Sequence, residues 1–213
     1  MSDAFKKMDS MYRLQRYFYD FTRKYYLLGR DRLLNEMTVN DGDHVLEAGC
    51  GTARNLIILA RRYPNAHFYG LDASAAMLET AKKKADAAGV KNITFKTALA
   101  DNFSFDETFG LSSKFDTIFF SYSISMIPPW RESINNAVAN LSDKGTLYIV
   151  DFYDQAELYI FAPMLKWWLS KFHVTHWEGL IPFINSLNSL SLKAEVTPLF
   201  RRYSFISKIS KTT

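Results

Sequence analysis

Apolar side chains recur at two different spacings along this chain, and the switches between them mark out its elements. Met11, Leu14, Phe18, Phe21, Tyr25 and Leu28 alternate at three and four residues, which places them on one stripe of a helix through the N-terminal segment. Residues 43–48 form a short apolar run with strand character, 53–63 a helix stopped before Pro64, and 66–72 a second strand. Ser74 suits the N-cap of a helix running to about Ala88, closed by Gly89, and 93–97 reads as the third strand. Residues 115–121 are rich in β-formers and give strand four, 130–141 a helix and 146–152 strand five. Strands alternating with helices imply a parallel sheet wound in the right-handed sense.

After Phe152 the rhythm changes. Residues 157–190 carry large apolar groups at helical spacings, among them Phe161, Trp167, Trp168, Phe172, Trp177 and Phe183, and predict an inserted helical cap. Residues 193–198 and 202–209 predict two closing strands with their turn around Pro198. With 213 residues and 48% hydrophobic content, the natural organisation is one domain over 1–213. Within it, 1–40 would be the N-terminal helical segment, 43–152 the cofactor-binding core, 153–190 the cap and 191–213 the closing strands.

Composition excludes several classes. No apolar stretch approaches the length of a spanning helix and the N-terminus lacks a signal-peptide core, so a soluble, cytoplasmic protein is expected. One cysteine, Cys50, rules out an internal disulfide and argues against structural zinc. His173 and His176 have a spacing that suits a helical metal pair, but no acid completes the set, and no metal is expected. Within residues 1–32, eight basic side chains face four acidic ones, which equals the whole net charge of +4. Past Glu195 the chain adds Arg201, Arg202, Lys208 and Lys211 with no acid. Such an edge suits anionic lipid headgroups, or is a solvated helix face. No RNA module is visible, so nucleic acid is not an expected partner.

The chemistry centres on Val45-Leu46-Glu47-Ala48-Gly49-Cys50-Gly51-Thr52-Ala53 and on Tyr69-Gly70-Leu71-Asp72. Glycines at 49 and 51 let the backbone turn sharply and approach a ligand. Asp72, twenty-one residues past Gly51, would present a carboxylate to a ribose diol at the end of the next strand. The dinucleotide fingerprint needs a third glycine where this chain has Arg54, which disfavours a diphosphate. Glu47 would repel phosphate yet suits a cationic or amino-bearing ligand. Cys50 has no obvious base nearby and suits a small residue packed under the turn.

On these residues the chain resembles the class I S-adenosylmethionine-dependent methyltransferases, whose first motif reads E-x-G-x-G-x-G, with Ala53 departing at the third glycine. The resemblance implies a Rossmann-like, seven-stranded, mostly parallel α/β sheet with an antiparallel closing hairpin, here with an N-terminal helix and a helical cap insertion. S-adenosyl-L-methionine would be the cofactor and S-adenosyl-L-homocysteine the product. Its site would include Glu47, Ala48, Gly49, Cys50 and Gly51 from strand one, and Asp72, Ala73 and Ser74 from strand two. Ala100, Asp101 and Asn102 follow strand three, where the family sets an acid against the adenine amino group; Asp101 is the candidate, or an ordinary loop aspartate. Met77 packs on the nucleoside or in the core.

Strand four ends in Ser121-Tyr122-Ser123-Ile124-Ser125-Met126-Ile127-Pro128, where cofactor and acceptor should meet, so Ser121, Tyr122 and Met126 join the site. Methyl transfer is an in-line displacement that mainly needs positioning and exclusion of water, and this stretch has no His, Asp or Glu. It also lacks the N-P-P-Y tetrad of amide and adenine N-methyltransferases. Together with Tyr19 to Asp31, Arg54-Asn55-Leu56 and Phe172-His173-Val174, it is similar to the methyltransferases of bacterial betaine-lipid synthesis. That similarity implies N-methylation of diacylglyceryl-homoserine or, in related enzymes, of phosphatidylethanolamine, with peripheral contact at the inner face of the membrane. Tyr19, Arg23, Gly29 and Arg30 would help close the cofactor pocket; either arginine could instead pair with Asp20 or Asp31. Tyr122, Tyr19 and His173 are the candidate catalytic groups, with packed, hydrogen-bonded histidines as the other reading. A small-molecule or quinone methyltransferase and a non-catalytic cofactor-binding subunit stay open beside this reading.

Overall fold

A computed structural model describes residues 27–154, 175, 177–189 and 192–211. The N-terminal stripe up to Tyr26, most of the cap, Tyr19, Arg23, His173 and His176 lie outside the described residues. The chain enters through helix α1 (Arg30–Glu36), then β1 (His44–Ala48), α2 (Arg54–Arg62), β2 (His67–Asp72), α3 (Ala75–Ala87) and β3 (Ile93–Thr97). It continues with β4 (Phe115–Ser121), a short 3₁₀ turn (Ile124–Met126), α4 (Trp130–Ala139) and β5 (Leu141–Phe152). Helix α5 (Leu180–Ser186), a second 3₁₀ turn (Leu187–Ser189), β6 (Leu192–Leu199) and β7 (Ser204–Lys211) complete it.

The seven strands lie in the order β3-β2-β1-β4-β5-β7-β6, all parallel except for the antiparallel β5–β7 and β7–β6 pairs. This is the expected Rossmann-like sheet with its closing hairpin. Strand order reverses between β1 and β4, which opens a crevice beyond their carboxyl ends. Alternation along each strand feeds two cores. Val45, Phe68, Phe119 and Val150 pack with Leu33, Leu34, Leu56 and Leu59 on one face of the sheet. Leu46, Leu71, Ile118, Phe120 and Phe205 pack with Trp130, Ile134, Leu180 and Ile184 on the other. Each such side chain contributes roughly 1.5–3 kcal/mol, so burial on both faces fixes the strand ends that carry the site.

Two boundaries differ from the sequence expectation. Helix α4 stops at Ala139 and β5 starts at Leu141, five residues before the expected strand. Leu141 pairs with Phe115, then the register jumps so that Thr146 faces Thr117, leaving residues 142–145 as a bulge that periodicity does not show. Pro198 does not make the closing turn. It lies inside β6 opposite Phe205, tolerated because β6 is an edge strand, and the turn is residues 200–203. Phe200, Arg201 and Arg202 all adopt positive φ there, a conformation the sequence does not announce in non-glycine residues.

Candidate cofactor and acceptor site

The turn after β1 is stitched to the end of β2. Gly49 N and Cys50 N both donate to Leu71 O, at 2.7 and 2.9 Å. Gly49 has φ 77°, and a Cβ there would lie 2.5 Å from Ser123 Cβ, so only glycine lets the turn close against the segment after β4. Ser123 Oγ in turn donates to Ala48 O at 2.9 Å. Ala53 takes a left-handed conformation as N-cap of α2, the position where the family motif has its third glycine. Asp72 spans the site. Its Oδ2 accepts from Gly51 N at 2.8 Å and its Oδ1 from Ser74 N at 2.9 Å, while Ser74 Oγ caps α3 by accepting from Met77 N. A carboxylate oxygen accepts two hydrogen bonds, so the same group can order the turn and meet a ribose diol.

Glu47 is 2% exposed, and its Oε1 accepts from Asn55 Nδ2 at 2.7 Å. It places an acid directly under the turn, as a cationic ligand requires. Cys50 is buried, and burial followed by the charges of Asp72 and Glu47 pushes its thiol pKa well up, so it stays protonated and packs against Gly70. Met77 is also buried. Ala100 is buried, Asp101 half-buried and Asn102 exposed on the loop after β3, and this loop is pinned from α4. Asn136 Nδ2 donates to Ala100 O and Phe103 O, and Asn140 Nδ2 to Phe103 O, at 3.0–3.2 Å. Neither asparagine stands out in sequence, because a helical Asn alone gives no sign of a distant loop.

At the β4 end the arrangement is tighter than expected. Tyr122, expected to act on the acceptor, is 2% exposed; its hydroxyl donates to Leu28 O and its ring packs edge-on against Phe152. Burial pushes its pKa well up. Its hydroxyl thus tethers residue 28. Arg30, half-buried at the start of α1, lies near Tyr122, while Asp31 pairs with Arg54 at 2.9 Å rather than with Arg30. Ser121 is buried and Met126 half-buried beside them.

Sequence reasoning missed Asp151. Its side chain is 0% exposed, Oδ2 accepts from Ser125 N at 2.9 Å and Oδ1 from Phe152 N at 2.8 Å. Burial raises its pKa from 3.8 to about 6. Its contribution to folding is thus complete below 3.8 and is lost as pH rises through about 6, so at neutral pH the charged form costs roughly 3 kcal/mol. The available signal was an acid ending the apolar run Leu147-Tyr148-Ile149-Val150, the same pattern that ends in Glu47. Among the described residues no cluster of metal ligands occurs.

These features fit a nucleoside cofactor with a cationic centre: a turn no Cβ could enter, a carboxylate at the ribose position and a buried acid below. A family model described as a methyltransferase domain matches residues 39–203. The 2-heptyl-1-hydroxyquinolin-4(1H)-one methyltransferase of Mycobacteroides abscessus is 36% identical over 113 residues, covering 53% of this chain and 47% of that protein. A carboxy-S-adenosyl-L-methionine synthase of Campylobacter curvus is 29% identical over 107 residues, covering 50% and 42%. The chain spans less than half the length of these curated relatives. Among solved structures, the plantazolicin methyltransferase BamL, in complex with a triazolic desmethylPZN analog and SAH, superposes with a TM-score of 0.70 at 16% identity, covering 93% of this chain and 90% of that one.

Proposed function

Because the chain belongs to the methyltransferase domain family and is an S-adenosylmethionine-dependent methyltransferase, we propose that it methylates the amine of a membrane-lipid headgroup of the diacylglyceryl-homoserine or phosphatidylethanolamine type. The cofactor supplies the methyl group as an electrophile. The chain's residues hold the nucleoside at Asp72 and Glu47 and shape the acceptor side through the Ile124–Met126 turn. The two ionisable side chains at the β4–β5 end, Tyr122 and Asp151, are buried and hydrogen-bonded. That arrangement positions rather than abstracts protons, which suits an amine whose pKa burial lowers.

The observation that carries the lipid reading is the β6–β7 turn. Phe200 is 54% exposed and is the exposed large hydrophobic side chain among the described residues. It stands next to exposed Arg201, just past the carboxyl end of β5, where Phe152 pairs with Ser204. The basic N-terminal segment joins the fold beside it: Leu28 is tied to Tyr122, and a Cβ on Gly29 would lie 2.9 Å from Leu199 Cδ1. An apolar tip beside an exposed arginine suits an anionic bilayer on the acceptor side. Vesicles carrying phosphatidylethanolamine or diacylglyceryl-homoserine, incubated with protein and labelled S-adenosylmethionine, should yield labelled lipid by mass spectrometry; unlabelled lipid alongside labelled soluble acceptors would reject the reading. The second reading, a small amphiphilic acceptor, is favoured by the quinolone methyltransferase relative, and a soluble quinolone in the same assay decides between them.

A further inference from the structure

The turn after β4 is held from three directions by groups distant in sequence. Ser123 packs on Gly49 and bonds Ala48 O, which joins it to the cofactor turn. Thr175 N donates to Ser125 O at 2.9 Å and Trp177 Nε1 to Ile124 O at 3.0 Å, which joins it to the segment just before α5. The third hold is the bond from Ser125 N to Asp151. The first two use neutral groups; the third uses a charge sealed from water, an arrangement that a fold seeking only stability would replace with a neutral side chain.

We propose that Asp151 is a positioning residue: its carboxylate, by holding the N–H of Ser125, fixes the Ile124–Met126 turn between the cofactor turn and the segment of Thr175 and Trp177, and so sets the geometry of the acceptor side. A charged acceptor makes a stronger and more directional bond to backbone N–H than a neutral one, so the turn is held in one place instead of being merely covered. The ionisable group facing Asp151 is Tyr122 from the end of β4, with Tyr203 from the β6–β7 turn and Arg30 from α1 around that ring. Burial raises the pKa of Asp151 and no charged neighbour figures among its causes, which fits a group whose partners are the backbone amides of Ser125 and Phe152 together with the Ser125 side chain.

The inference relies on the methyltransferase reading only in naming this end the acceptor side, and the experiment separates the two. In the full chain, Asp151→Asn should speed amide exchange at Ser125 by at least about tenfold, while exchange at Gly51, held by Asp72, changes less than about threefold. S-adenosylhomocysteine affinity by calorimetry should stay within about threefold of the wild type. A smaller change at Ser125, or Gly51 or the affinity moving beyond those limits, overturns the clamp. The wild type gives a test that needs no variant: the Ser125 and Phe152 amide proton shifts should titrate together with a midpoint near 6, and flat shifts between pH 4.5 and 8 overturn it. Absence of any S-adenosylhomocysteine binding by the wild type would count against the methyltransferase reading and leave the exchange and titration results to judge Asp151.

Discussion

Asp72 and Asp151 perform the same local task at two places on the sheet's carboxyl edge, each binding two backbone N–H groups with its two oxygens. They differ in access to water. Asp72 is half-buried at the mouth of the crevice, whereas Asp151 is sealed beneath a turn. At the β2 end a carboxylate that orders the backbone is the one we propose faces the ligand, so that one residue would serve fold and binding together. At the β5 end the carboxylate meets backbone N–H groups and the Ser125 side chain, and its roughly 3 kcal/mol burden at neutral pH is offset elsewhere in the core. In the proposed reading, binding chemistry is concentrated at β1–β2 and the β4–β5 end is devoted to shape.

The largest effect that this contrast implies is at Asp72. Asp72→Ala removes the proposed ribose contacts and leaves Gly51 N and Ser74 N without the Asp72 acceptor. Affinity for S-adenosylhomocysteine should fall on the order of 10³-fold, about 4 kcal/mol, by calorimetry. Retained affinity would mean that the nucleoside binds elsewhere, and the division between a binding end and a shaping end would break.

Gly49→Ala should come next, because it strikes where the two ends touch. A methyl group there sits 2.5 Å from Ser123 Cβ on a backbone with φ 77°. Left-handed strain and overpacking together predict a loss of about 3 kcal/mol in chemical denaturation. Unchanged stability would show that the cofactor turn and the β4 turn are not in register as described.

The two ends were also unequally legible in sequence. Gly49, Gly51 and Asp72 are visible because their roles are set by backbone conformation and by position at the ends of strands β1 and β2, both of which leave a trace in residue type and spacing. Residues 115–121 and the helix after Ser74 were legible for the same local reason. Asp151, Asn136 and Trp177 act through contacts 26, 33–36 and 53 residues away in the chain, and nothing in their neighbours reports such partners. Tyr122 shows this distance most clearly. Its place at the end of β4 was readable, but the partner of its hydroxyl, Leu28 O, lies 94 residues upstream, and that partner decides what the group does. The turn at Phe200–Arg202 misled for another reason: proline and glycine are the usual marks of a turn, and here three larger residues take left-handed angles, secured by the Arg202–Asp154 ion pair and by Tyr203 N bonding Leu199 O.

Tyr122→Phe gives the smallest effect and the sharpest choice between the two views of that residue. The ring, packed edge-on against Phe152 with centroids 4.7 Å apart, keeps its place, while the bond to Leu28 O and the interaction with the Ser204 side chain are lost. Stability should fall by about 1 kcal/mol, the usual net worth of one buried hydrogen bond. Exchange at Leu33, whose N–H bonds Gly29 O at 2.9 Å, should quicken as the start of α1 loosens. S-adenosylhomocysteine affinity should barely move, since the hydroxyl is turned toward backbone and away from the crevice. A loss of affinity larger than the loss of stability would return the hydroxyl to the cofactor site and make the β4 end a binding end as well.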